Sequence, residues 1–341
     1  MTMFLLPFCV SGLLASAMTS IHIRLARRAG WLDHPRPSKI HDRPIPTMGG
    51  MAVIAAVLAS SWLAAGRAGW LQAGHVAALA LASAPIIIVG VWDDLHGCRI
   101  WPRLAAHFLA GSALYVSGLR VTRLTNPFGD SWELGPLGYV VTIVWVAVLI
   151  NALNIIDGLD GLASGTGLLA AWSIGCVGLL RHETDTAVFG FVVAGALAGF
   201  IPYNFPRARV FLGDVGSTFI GLALAVLSLL ENRKTTTSLT LFIPLVALAL
   251  PVLETSLSIL RRARGGLNPM RGDLGHLHHR LLRRGMTPAR ATSVLLVSTA
   301  AAGLSAIVLS MVAKETALLL TGGVGILVLL GLVRALSENR S

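Results

Sequence analysis

The sequence predicts an all-α, polytopic integral membrane protein with about eleven transmembrane helices, N-terminus outside and C-terminus inside. Three observations carry this. Of 341 residues, 55% are hydrophobic and 13% charged, about half the charged fraction of an ordinary soluble domain, and mean hydropathy is +0.74. The apolar residues fall into separate runs, too long and too continuous for barrel strands, so helices must cross the bilayer. The Lys and Arg residues are shared unequally between alternate loops.

The first apolar run, 3–20, has the small residues Ala15 and Ala17 of a signal peptide, but no positive charge precedes it and Arg24, Arg27 and Arg28 follow. That polarity fits an uncleaved anchor with its N-terminus outside. Further spans are expected near 49–66, 74–91, 104–118, 136–156, 161–180, 186–203, 213–230, 239–260, 291–312 and 316–334. With this topology the inner loops hold 20 of the 27 Lys and Arg residues and the outer loops 7, as the positive-inside rule requires. The outer loop 119–135 holds only an ordinary turn signal, Asn126 to Gly129. No repeat or domain boundary is visible, so 1–341 is read as one membrane domain.

The net charge of +11 points to anionic membrane lipids or phosphorylated substrates. Nucleic acid is disfavoured, because only 6% of residues are aromatic and the basic residues sit in short loops. Cys9, Cys98 and Cys176 show no metal-ligand spacing and are read as structural thiols.

Five polar stretches all fall on the inner side. The richest, Asn151 to Gly165, spaces Asn151, Asn154, Asp157 and Asp160 three apart between two uncharged runs. Ionisable groups beside a span are expensive and therefore functional candidates. Gly158 and Gly161 argue against an unbroken helix. The stretch reads as a helix end carrying both asparagines, then a Gly-hinged turn aiming both aspartates. Asp93 and Asp94 close the third span and suit a base or a ligand set for a hard cation, which takes oxygen donors. Asp214 and Ser217 open the eighth span, where a helix N-terminus favours phosphate; an N-cap aspartate is the plainer alternative. His276, His278 and His279 lie in the most basic loop beside Arg280, Arg283 and Arg284. Phosphate or sugar recognition fits them better than zinc, since no cysteine is near; an interfacial helix resting on Leu277, Leu281 and Leu282 is the other reading. Thr287 and Pro288 make a good start for the next span. Lys39, His41 and Arg43 surround a Pro-rich turn that ends at Gly49 and Gly50, which alone is a weak phosphate signal.

Taken together these motifs resemble the polyprenyl-phosphate N-acetylhexosamine-1-phosphate transferase family, glycosyltransferase family 4. Its members include phospho-N-acetylmuramoyl-pentapeptide transferase and the undecaprenyl-phosphate N-acetylglucosamine-1-phosphate transferases. The resemblance runs from about Pro37 to Leu281 with all five motifs in order. It implies ten or eleven helices and a Mg²⁺ site, with Mn²⁺ as substitute, on the cytoplasmic face of a bacterial inner membrane. It implies transfer of a sugar-1-phosphate from a UDP-N-acetylhexosamine to undecaprenyl phosphate, releasing UMP and starting a cell-envelope glycan such as O-antigen or a cell-wall polymer. On this resemblance Asp214 is the metal ligand. Asp93 and Asp94 prepare the lipid phosphate, Asp93 as base or nucleophile. Asp157 and Asp160 contact nucleotide or metal-bound phosphate, Phe211 stacks on uracil, and His276, His278 and His279 engage phosphate or the amino sugar.

The chain departs from the family at Leu267 and Leu274, where basic residues are usual; Arg264 and Arg271 lie close enough to compensate. Its His-Leu-His-His pattern is nearer the N-acetylglucosamine branch than the pentapeptide branch. The stretch Arg103 to Phe108 is weakly similar to O-antigen-initiating members. A homodimer is left open. A transporter, the competing class, predicts broken helices at mid-bilayer and related halves, and neither is apparent. A CDP-alcohol phosphotransferase would need a different sequence after Asp157 and Gly158.

Overall fold

A computed structural model of the chain describes residues 2–35, 42–124, 132–234, 242–249, 251–253, 255–256 and 277–311. Within these residues the protein is a helical bundle. In order, α1 is Thr2–Ala29, α2 Gly50–Ala68, α3 Ala73–His96, α4 Ile100–Val116, α5 Leu137–Ile156 and α6 Leu162–Leu180. They are followed by α7 Thr184–Asn204, α8 Gly213–Lys234, α9 Phe242–Ala247, α10 Leu277–Arg283 and α11 Pro288–Met311.

Seven of the described helices are long and apolar enough to cross a membrane. The expectation of about eleven is met at fewer positions for identifiable reasons. The helix expected at 49–66 is present as α2, but its apolar part, Gly50–Gly66, is short. The one expected at 104–118 is α4, which is 17 residues long and begins early enough to place Arg103 on the helix instead of in a loop. The span expected at 239–260 is described only in part, and there α9 has six residues. The span expected at 316–334 lies outside the described residues.

Two short antiparallel ladders depart from a purely helical expectation. Leu32–Asp33 pairs with Ile45–Pro46, and Arg123–Leu124 with Trp132–Glu133. Each closes a loop between helices, satisfying backbone groups that no helix can.

The bundle is built around α6, α7 and α8. Of the most apolar stretch of each helix, 83% is buried in α8 and 72% in α6 and in α7, against 22% in α1 and 28% in α11. Helix α7 lies between α1 and α6, while α8 packs on α3 and α5, with α4 filling the angle between those two. Lipid gives no hydrophobic reason for helices to associate, so close packing of small residues must hold them; α6 and α7 approach at Gly175 and Gly190. Because successive helices alternate in direction, the C-terminal ends of α3, α5 and α7 share one end of the bundle with the N-terminal ends of α2, α6 and α8. Asp93, Asp94, Asn151, Asn154 and Asp214 gather at that end.

Candidate active site

The site is assembled from helix termini. Helix α3 continues past the apolar run to His96, so Asp93 and Asp94 stand in its last turn. Helix α8 begins at Gly213 and presents Asp214 in its first turn. A helix start leaves backbone N–H groups without partners, and here Asp94 supplies them from another helix. Its two carboxylate oxygens accept from the N–H of Asp214 at 2.8 Å and of Val215 at 3.1 Å. Negative charge at this end is also favoured by the helix dipole. Asp94 therefore fixes α8 against α3, and with it the position of Asp214.

Asn154, near the end of α5, donates to Asp214 Oδ1 at 2.6 Å and to Ser217 Oγ at 3.1 Å. One turn earlier, Asn151 donates to Ala147 O at 2.8 Å and to His107 Nδ1 at 3.3 Å. The helix ends at Ile156 and Asp157 follows as its cap. The chain then turns through Gly161, whose φ of 75° is left-handed, into α6, matching the Gly-hinged turn read from the sequence. Asp157 carries an unusual load. Its carboxyl is pushed well above the ordinary carboxylate range, first by burial and then by the negative charges of Asp214, Asp94 and Asp160.

The turn is tied to the next stretch on every side. Asp160 Oδ2 accepts from Ala208 N at 2.9 Å, and Thr292 of α11 donates to Asp160 O at 3.2 Å. Asn204, buried at the end of α7, accepts from Gly161 N at 3.1 Å and Ser164 Oγ at 2.8 Å while donating to Val210 O at 3.0 Å. Residues 205–212 are held in turn by the Pro-Gly turn before α2. Phe211 N donates to Pro46 O at 2.8 Å, Gly49 N to Phe211 O at 2.9 Å, and Gly50 N to Leu212 O at 2.8 Å. The glycine pair has a steric reason: a Cβ on Gly50 would lie 2.1 Å from Gly216 Cα.

Asn151, Asn154 and Asp214 line one cleft. Its polar wall is Asp93, Arg103, His107, Asn151, Asn154, Asp214 and Thr218, and its apolar wall includes Ile86, Val89 and Ala106. Asp93 is buried and ion-paired with Arg103. Arg103 Nη2 also stands 3.7 Å from Asp214 Oδ2.

Of the residues singled out by sequence, the structure brings together Asp93, Asp94, Asn151, Asn154, Asp157 and Asp214. Asp160 and Phe211 join them through residues 205–212. Arg43 is exposed, two residues before the strand that receives Phe211. His278 and His279 belong to α10, which packs on α11, the helix that touches Asp160; there Leu277, Leu281 and Leu282 rest against the core. Lys39, His41 and His276, like Leu267, Leu274, Arg264 and Arg271, lie outside the described residues. Sequence reasoning missed Arg103, His107 and Asn204 as site residues. The available signal was a cation and an imidazole four apart, hence on one face, in a run that is otherwise apolar.

Among the described residues no three His, Cys, Asp or Glu side chains form a metal-binding group. Mg²⁺ does not require one, since it is commonly held by one or two carboxylates together with water and substrate phosphates. Asp214 Oδ2 and Asp93 meet that description. They are hard oxygen donors from two helices facing one shared cation, the Arg103 guanidinium, whereas both oxygens of Asp94 are engaged by backbone.

Fold and site together define a multi-pass membrane protein with a carboxylate-rich cleft at one end of its bundle. Residues 76–232 match the family model described as glycosyl transferase family 4. The chain is 38% identical over 300 residues to a Mycolicibacterium smegmatis protein named decaprenyl-phosphate N-acetylglucosaminephosphotransferase, covering 80% of this chain and 73% of that one. It is 31% identical over 305 residues to a Yersinia pestis undecaprenyl-phosphate alpha-N-acetylglucosaminyl 1-phosphate transferase, covering 86% and 80%. The Escherichia coli (strain K12) protein of the same name is 30% identical over 291 residues, covering 83% and 77%. The chain belongs to glycosyl transferase family 4, the polyprenyl-phosphate N-acetylhexosamine-1-phosphate transferases, and is a transferase.

Proposed function

We propose that this protein transfers N-acetylglucosamine-1-phosphate from UDP-N-acetylglucosamine to undecaprenyl or another polyprenyl phosphate, releasing UMP. Relatives covering most of its length are named for N-acetylglucosaminyl phosphate transfer, which favours this donor over a pentapeptide donor. The observation that carries the reading is Asp214 on the first turn of α8, oriented by Asn154 and held in place by Asp94, with Asp93 and Arg103 across the cleft.

Phosphoryl transfer asks for positioning and charge stabilisation more than for covalent chemistry by the protein. Asp214 and Asp93 would hold Mg²⁺ or Mn²⁺. When bound, the ion supplies charge neutralisation across the phosphates. Asp93, through the carboxylate oxygen not on the ion, takes the proton of the lipid phosphate as a phosphate oxygen attacks the sugar-linked phosphorus and the bond from that phosphorus to the UMP oxygen breaks. Asp94 acts through α8, and Asn154 aims Asp214. Asp157 and Asp160, with Phe211 stacked on uracil, receive the nucleotide, while the histidines of 276–279 and the turn carrying Lys39, His41 and Arg43 engage sugar and phosphate. The apolar wall of the cleft suits the first carbons of a polyprenyl chain. The 20-to-7 distribution of basic residues supports an N-out, C-in chain with its site on the cytoplasmic face of the bacterial inner membrane.

The test is purified protein with undecaprenyl phosphate, Mg²⁺ and a panel of UDP-sugars, scoring UMP release and the mass of the lipid product. Asp214→Asn is expected to nearly abolish turnover in a folded protein. Preferential use of UDP-N-acetylmuramoyl-pentapeptide would overturn the donor assignment. Near-normal turnover of Asp214→Asn at saturating Mg²⁺ would overturn the metal assignment.

A further inference from the structure

Arg103 stands between Asp93 and Asp214, the two carboxylates read above as metal ligands. It projects from the first turn of α4, and a single guanidinium nitrogen, Nη2, pairs with Asp93 Oδ2 and lies 3.7 Å from Asp214 Oδ2. Those carboxylates come from α3 and α8, so one nitrogen sits between two helices that would otherwise oppose negative charges. The geometry is poor for an arginine. A guanidinium binds carboxylate best through two parallel N–H groups. Here Nε is buried without a hydrogen-bond partner, and the neutral groups alongside, His107 and Asn151, are bonded to each other.

An arrangement of this kind balances charge without satisfying the fork. A divalent cation held by Asp93 and Asp214 would balance it better, and would compete with Nη2 for the same two carboxylates, because Mg²⁺ is commonly held by one or two carboxylates. We propose that Arg103 is the placeholder of the metal position: it neutralises Asp93 and Asp214 in the unloaded protein and is displaced when a divalent cation enters. The displaced guanidinium stays on the wall of the same cleft, where the anionic oxygens of the substrate become its partner. Arg103 thus acts twice, first against the metal and then for the phosphate. This rests on the reading of Asp93 and Asp214 as metal ligands.

The experiment measures Mn²⁺ binding to the purified full-length protein in detergent without substrate, from the electron paramagnetic resonance signal of free Mn²⁺. Wild type, Arg103→Gln, Arg103→Lys and Asp214→Asn are compared. Removing a competing charge about 4 Å from a dication is expected to tighten Mn²⁺ binding by about tenfold or more. Arg103→Lys is expected to bind nearer to wild type, and Arg103→Gln to raise the KM for polyprenyl phosphate. A purely structural role for Arg103 predicts weaker binding in Arg103→Gln, and misfolding cannot mimic a gain of affinity. Mn²⁺ affinity that falls in Asp214→Asn but is unchanged or weaker in Arg103→Gln would overturn the proposal and leave the metal assignment standing. Affinity that responds to neither substitution would overturn both.

Discussion

Replacing Asp94 by alanine removes the acceptor for two backbone N–H groups at the start of α8, those of Asp214 at 2.8 Å and Val215 at 3.1 Å. Loss of one capping bond typically costs about 0.5–2 kcal/mol, and hydrogen bonds to charged groups contribute about 1.5–3 kcal/mol each. Asp94 is only partly buried, which allows water to replace some of what is lost, so about 2–3 kcal/mol is expected for the pair. For a chain of this size that lowers the thermal midpoint by about 3–4 °C. Asp94→Asn keeps one acceptor oxygen but turns an amide donor toward the other N–H, so it is expected to cost about as much. Asp93→Asn leaves the α8 cap intact and is expected to lose turnover with little change in midpoint. The assay pairs thermal unfolding of purified protein in detergent with UMP release. If Asp94→Ala melts within about a degree of wild type yet loses turnover, the cap contributes nothing measurable and Asp94 must act on the substrate directly.

Three further substitutions probe the turn after α5 and the packing of α2. The raised pKa of Asp157 means that, above the ordinary carboxylate range, the folded protein keeps a proton the unfolded chain has released. Stability from this group is then full at low pH and lost as pH rises toward the folded pKa. Asp157→Asn is expected to flatten that decline in metal-free protein, leaving it more stable than wild type near neutral pH though less active; melting curves at several pH values in chelator check this, and an unchanged slope refutes it. Gly50→Ala places a methyl 2.1 Å from Gly216 Cα, backbone against backbone, and is expected to cost about 3 kcal/mol or to prevent assembly. Gly66→Ala on the same helix meets nothing within 4 Å and is expected to be neutral or slightly stabilising, so equal yields of the two variants would contradict the packing described.

Local chemistry in the sequence determined where the helices lie and where they stop. Apolar runs set the spans, and Pro288, Gly161 and the run of small residues at Gly49 and Gly50 mark their ends, because burial and backbone freedom are properties of a residue and its close neighbours. The same local reasoning placed Asn151 and Asn154 at one helix end, Asp157 and Asp160 in the turn after it, and Asp214 at another helix start. Its apolar runs stop short of the helices, the third ending at 91 when α3 runs on through Asp93 and Asp94 to His96 and the fourth starting at 104 when α4 begins at Ile100. A charged residue in the last or first turn of a helix looks like loop composition. What only the tertiary structure decided is the division of labour among the carboxylates. Asp93 and Asp94 are adjacent and chemically identical in sequence, yet one faces Arg103 while the other caps a helix through the N–H of Asp214, 120 residues later. Asn204 likewise joins the turn at Gly161 to Val210 through bonds that no periodicity encodes. Such roles depend on which helix ends meet in space, and that is set by the packing of small residues along the whole bundle.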